Sequence, residues 1–308
     1  MKHVTKSNKN SLIELMRFLF ALWVLYYHSF VPFKNELWAN GYLAVEFFFV
    51  LSGFYLIRSI DRHTALPLKE GLPKFLLHRF KPIAFLFIIN DLFAIYYSFA
   101  IELSYNVFFG YLWYIRDLFI AITLFFVLRK YIRSEKWFYI VICVLSATAL
   151  FAFQFSPVIA WPGGPFRSVA AIPLGMLAAL LPKIPTTVNE GKKSPLRISL
   201  IIAGIAVSSI LCLYIAALPE KSQFLKYALV IIVFPAMLYF ASCANVKCGV
   251  LNWLGSLSFP IYAFQCIIRI IEYYWISNET TLFIILAALV LTYTTIENLI
   301  KKRLAASK

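Results

Sequence analysis

Apolar residues run through this chain in long blocks, broken by Pro, Gly and tight clusters of charge. The longest blocks reach about 20 residues, which as α-helix crosses a hydrocarbon core of about 30 Å and far exceeds the strands of an outer-membrane barrel. Cutting at the breaks predicts ten helical spans, at about 12–30, 41–58, 81–99, 105–128, 137–155, 167–182, 197–217, 224–243, 250–274 and 281–300. The pattern holds no internal repeat, and its longest polar stretch is the 58–81 loop. The predicted fold class is all-α: a polytopic membrane protein with about ten transmembrane helices around a polar cavity, one integral-membrane domain over residues 1–308.

Composition sharpens this picture. The 308 residues are 62% hydrophobic, 18% aromatic and only 14% charged, against about 25% charged in an average soluble domain, which excludes a water-soluble globule. A net charge of +15 in a soluble chain would point to nucleic acid, but here the basic residues sit between apolar blocks, so nucleic acid is not an expected partner and the lipid bilayer is. Of the 29 Lys and Arg, 22 fall in alternate segments: the amino terminus, 58–81, 129–136, 183–197, Lys247 and the tail. The opposite loops hold only Lys34, Lys221 and Lys226. The positive-inside rule therefore predicts that both termini face the cytoplasm. The block Leu12 to Phe30 carries Arg17 and His28 and no small-residue cleavage site, and reads as a retained first helix. Five cysteines show no metal-ligand spacing; they read as small core residues, and no metal is expected.

Four arginines remain inside predicted spans, Arg17, Arg116, Arg167 and Arg269, in the company of Glu14, His28, Glu46, Asp91, Asp117 and Gln265. A charge at the centre of a span costs about 3 kcal/mol unless it is paired or hydrated, so these are functional candidates, with helix-orienting ion pairs as the alternative. Arg17 and His28 are eleven residues apart, which returns to nearly the same helix face about 16 Å further along. A neutral imidazole there suits proton abstraction from a hydroxyl. Glu46, entering from outside on the second span, comes to a comparable depth and is expected to orient the ring or stabilise its protonated form. Trp113, Arg116 and Asp117 on the fourth span, Arg167 opening the sixth, and the stripe Ser258, Tyr262, Gln265 and Arg269 on the ninth all point to one polar region above the midplane. Pro260 interrupts the ninth helix's hydrogen-bond ladder.

IELMRFLFALWVLYYHS at 13–29, with its Arg and His eleven apart, resembles the first-helix signature of membrane acyltransferase family 3, the bacterial inner-membrane O-acyltransferases. GYLAVEFFFVLSGFYL at 41–56, YLWYIRDL at 111–118 and LGSLSFPIYAFQ at 254–265 are similar to its later motifs, in the same order. The resemblance implies transfer of an acyl group, usually acetyl from cytoplasmic acetyl-CoA, to a hydroxyl of a glycan or lipid-linked sugar, with no bound cofactor. It implies that His28 serves the chemistry and that Arg17 and the basic stretch with Arg79 and Lys81 hold the donor. Two positions depart from the family: HRFKP at 78–82 has Leu76 where a partner arginine of Arg79 often stands, and Gln265 replaces a common His.

An acyl thioester is already activated and needs a positioned acceptor, a base and oxyanion stabilisation. His28 is the expected base, with direct attack and an acyl-histidine both open. Arg116, Arg167 and Arg269 are candidates for holding the acceptor or the oxyanion, with Asp117 and Gln265 beside them and Trp113 offering an apolar face to a sugar ring. A transporter or flippase is the alternative from another class, because a polar cavity near the midplane is also what a substrate pathway looks like.

Overall fold

The structure, a computed structural model, describes residues 10–28, 36–89, 92, 113–155, 165–185, 194–219, 223–274 and 278–306. Among them every regular element is helical. α1 spans Ser11–His28, the short α2 Glu36–Ala39, α3 Leu43–Thr64 and α4 Leu68–Phe80, and α5 covers 84–89. α6 (Trp113–Tyr131), α7 (Glu135–Phe155), α8 (Phe166–Leu180) and α9 (Pro195–Ala216) follow. α10 consists of Gln223–Ala228, a π-helical turn Leu229–Val233 and Phe234–Ala244, before α11 (Gly249–Tyr274) and α12 (Glu279–Ala306).

Local chemistry sets the ends. Asn10 caps α1 by accepting the Leu12 N–H at 3.1 Å, Pro195 sits in the first turn of α9, and Asn245, left-handed at φ 46°, closes α10. Among the described residues five helices are long and apolar enough to cross a membrane: α3, α7, α9, α10 and α12. Their outward faces are apolar as well. Leu196, Ile202, Ile210 and Tyr214 of α9, Trp137 and Val144 of α7, and Ile284 of α12 all stand exposed, a surface that only lipid would cover favourably.

α3 lies at the centre. Its phenylalanines Phe47, Phe49 and Phe54 are fully buried, and Phe47 stacks on Phe20 of α1 at 3.9 Å with Phe234 of α10 edge-on at 5.6 Å. α3 packs most extensively on α8, and α1 on α11. A second apolar cluster joins α1, α11 and α12 through Leu25, Ile261, Phe264 and Leu286.

Contacts among the helix ends tie several basic segments to one another. Ser11 bonds Cys248 and Asn252 at the start of α11, Arg129 bonds Asp61, Lys130 bonds the Thr64 and Leu66 carbonyls, and Asn10 bonds the Ala241 carbonyl. These basic ends therefore share one end of the bundle. At the other end Trp23 donates to the Leu37 carbonyl and Asn40 to those of Ala216 and Leu218.

Three expectations are corrected. The 58–81 segment is no loop: α3 runs on to Thr64 and α4 fills Leu68–Phe80, because charge ends membrane burial without ending a hydrogen-bond ladder. Lys226 is not in a loop; it is buried on α10. Cys143 is exposed, not a core residue, whereas Cys212 and Cys243 are buried. Of the predicted third span only 81–89 and Leu92 are described, and Asp91, Lys34 and Lys221 lie outside the described residues.

Candidate functional site

Arg17 is held one turn above Glu14 on α1, with Nη1 donating to both carboxylate oxygens at 2.8 and 3.1 Å. Glu14 is buried against α11 at Gly255, where a side-chain carbon would collide with it. Only one terminal nitrogen of Arg17 is used in this pair, and Arg17 also lines a cavity of about 460 Å³, within the range of small-ligand sites. α1 contributes Arg17 and Val24 to the lining, α3 Val45, Phe48, Ser52 and Tyr55, α6 Tyr114 and Phe119, and α11 Ser258 and Tyr262, while Arg79 at the end of α4 closes the charged side. Most of the wall is aliphatic or aromatic.

The stacking of Phe20 on Phe47, and the approach of Trp23 to Gly41, set α1 and α3 antiparallel. That register brings Arg17 near the Ser52 turn and Val24 near the Val45 turn. From Tyr55 to Val45 is ten residues of α3, or ~15 Å along the cavity. His28 is the next residue after Val24 on this face of α1, four positions on. His28 is not among the residues that line the cavity; it is half-buried one turn beyond Val24, and its ring meets Tyr27 edge-on at 4.9 Å.

Arg79 differs from the half-buried Arg17 and Arg167. It donates to the Ser59 hydroxyl and lies 5.0 Å over the Phe75 ring, two neutral partners, and no carboxylate among the described residues pairs with it. Burial lowers its pKa to about 10, which leaves it protonated at neutral pH. A half-buried cation without a counter-charge among the described residues is a favourable place for an anion to bind. Lys81, also expected on the donor side, is exposed just beyond α4.

The outer-half charges pair with one another. Arg167 binds Glu46, donates to the Tyr42 carbonyl at 3.3 Å and covers the Trp113 ring at 4.8 Å. The Glu46 carboxylate thus has an arginine partner that the sequence did not assign to it, and one face of Trp113 is occupied. Arg116 bonds its neighbour Asp117 at 2.8 Å. Asp117 is fully buried and its Oδ2 has no partner among the described residues; the same holds for Oε1 of Gln265. Arg269 lies on α11, its side chain outside those described. The α11 stripe does face inward: Ser258 and Tyr262 line the cavity and Gln265 is buried one turn on.

Sequence reasoning missed Lys226, which donates to Asn40 Oδ1 at 2.7 Å and sits 5.8 Å over the Tyr42 ring. Its signal was available: a lysine two residues inside the predicted 224–243 span. It ties α10, just before its π-helical turn, to the chain leading into α3.

The acyltransferase domain family matches residues 10–296, nearly the whole chain. The chain belongs to acyltransferase family 3. No curated protein and no solved structure gives a significant match. In this membrane acyltransferase the first-helix motif supplies Arg17 to the cavity, and the Phe-rich second motif supplies both the core and the cavity wall.

The Glu46–Arg167 pair is a test of structure against chemistry. Arg167→Ala strands a buried carboxylate and is expected to destabilise the acyltransferase by about 3–5 kcal/mol. Glu46→Gln combined with Arg167→Gln should recover most of that stability in thermal unfolding; if the double variant falls as far as the single one, the pair does not hold α3 to α8.

Proposed function

We propose that the protein transfers acetyl from cytoplasmic acetyl-CoA to a hydroxyl of a cell-surface polysaccharide or lipid-linked sugar, as a ten-span protein of the bacterial inner membrane with both termini in the cytoplasm. The observation that supports this reading is the cavity, lined by Arg17, by an Arg79 whose partners among the described residues are neutral, and by Val24 one turn before His28 on α1. CoA brings phosphates for the two guanidiniums, with Lys81 adding attraction at the surface, and a flexible pantetheine arm for the apolar channel. The thioester then lies at the Val24 turn.

An acceptor hydroxyl arriving from the opposite side gives its proton to the neutral imidazole of His28 as its oxygen attacks the thioester carbonyl. The tetrahedral intermediate collapses by expelling the CoA thiolate, which takes the proton back from the imidazolium. An acyl-histidine route differs in one readout: it releases CoA before any acceptor is added. Arg116, Asp117, Gln265 and Arg269 are our candidates for the acceptor, while Glu46 acts through Arg167 by setting α3 against α8.

The deciding experiment supplies the purified protein in lipid nanodiscs with acetyl-CoA and a panel of polysaccharide and lipid-linked sugar acceptors, and follows free thiol. Acceptor-dependent CoA release supports the enzyme; sugar movement across the bilayer without acetyl-CoA consumption supports the transporter alternative. In the same assay Arg79→Ala is expected to raise the KM for acetyl-CoA about tenfold or more, since a charge-assisted contact contributes about 1.5–3 kcal/mol and 1.4 kcal/mol is a factor of ten. The acceptor KM should barely move. The reverse pattern would assign Arg79 to the acceptor path.

A further inference from the structure

The cavity has two chemically different ends. Arg79, Arg17 and Tyr55 occupy one; Val24, at 1% exposure, and Val45, at 6%, close the other. Between them stands Phe48. Its neighbours Phe47 and Phe49 are fully buried in the core, whereas Phe48 is half-buried and lines the cavity. The Phe48 ring is held edge-on by Phe47 at 5.7 Å and by Tyr114 at 6.3 Å, and Tyr114 is held edge-on by Tyr262 at 5.6 Å. The Ser52 hydroxyl donates to the Phe48 carbonyl at 2.7 Å. Three rings from α3, α6 and α11 thus form a wall in which each ring is braced by at least one other, beside two short branched side chains.

We infer that this end of the cavity is an acyl chamber, and that Phe48, with Val24 and Val45, restricts the donor to short, unbranched acyl thioesters. The inference rests on the donor reading above. An acyl group at the Val24 turn has the Phe48 ring beside it and the two valines beyond, and braced rings do not swing aside for added methylenes. Hydrophobic pockets discriminate about tenfold or more per methylene that does not fit.

The test uses the full-length protein in nanodiscs and measures displacement of tritiated acetyl-CoA by CoA, acetyl-CoA, butyryl-CoA and hexanoyl-CoA. In the unaltered protein hexanoyl-CoA should compete at least about tenfold more weakly than acetyl-CoA. Phe48→Ala should bring hexanoyl-CoA to within a few-fold of acetyl-CoA. Val24→Ala, a smaller cut in a separate helix, should do the same for butyryl-CoA and keeps the test open should Phe48→Ala misfold. Equal competition by acetyl-CoA and hexanoyl-CoA in the unaltered protein, or an unchanged ratio in the variants that fold, would overturn the chamber. Failure of free CoA and of every acyl-CoA to compete would instead overturn the donor reading, a separate outcome.

Discussion

His28→Ala is expected to lower acyl transfer by about two to four decades while the protein stays folded. His28 is the last residue of α1 and half-buried, so its removal opens no large cavity in the core, which is built around α3. The chemistry loses more. A thioester at the Val24 turn is already activated, but its sugar acceptor has a neutral hydroxyl that is a poor nucleophile until a base takes its proton. The check is acetyl-CoA turnover with acceptor, alongside thermal unfolding of the same preparation. Glu46→Gln should separate from it, losing stability more than rate, because Glu46 is held by Arg167. Near-normal turnover in a folded His28→Ala protein would make the imidazole a structural group.

Why that residue was legible before the fold was known is a matter of periodicity. Eleven residues is three helical turns, so Arg17 and His28 had to share a face wherever α1 packed. Charge alternation likewise grouped segments that the fold ties together, Arg129 with Asp61 and Lys130 with the Thr64 and Leu66 carbonyls. Partnerships were not legible in the same way. Glu46 and Arg167 are 121 residues apart, and nothing local to either announces the other. The outer-half arginines looked like one cavity wall because depth was readable and azimuth was not; two of them instead close onto carboxylates. Arg79 was found from its position before a helix, yet what singles it out, a hydroxyl and a ring where an acid would be expected, is a property of packing. α4 was hidden by Pro67, Gly71 and Pro73, which read as loop; in the fold Gly71 allows α4 to close onto the His63 carbonyl, and Pro73 is accommodated within the helix.

The same limit applies to the Phe-rich motif, which reads as a uniform apolar run. Its three consecutive rings have different environments: Phe47 faces Phe20 and Phe234, Phe49 packs on Tyr114 at 4.8 Å, and Phe48 turns to the cavity. Successive helical residues are about 100° apart, so a run of three necessarily covers most of the circumference, and only the neighbours decide which ring meets substrate.

Gly53→Ala and Gly175→Ala are expected to be the most damaging small substitutions in the protein. The two glycines sit where α3 crosses α8, and a Cβ on Gly53 would overlap the Ile172 carbonyl while one on Gly175 would overlap the Val50 carbonyl. Small residues permit such backbone approach between membrane helices. Both obstructions are main-chain atoms, so no rotamer change relieves them and the helices must separate. Overpacking a core commonly costs about 1–3 kcal/mol, and here the crossing also aligns Glu46 with Arg167, whose separation would strand a buried carboxylate at about 3–5 kcal/mol. Each variant should therefore unfold at a much lower temperature in detergent than Gly249→Ala, the internal control, whose added carbon meets nothing within 4 Å. If all three unfold together, α3 and α8 do not approach so closely, and the register that pairs Glu46 with Arg167 and turns Phe48 towards the cavity would have to be redrawn.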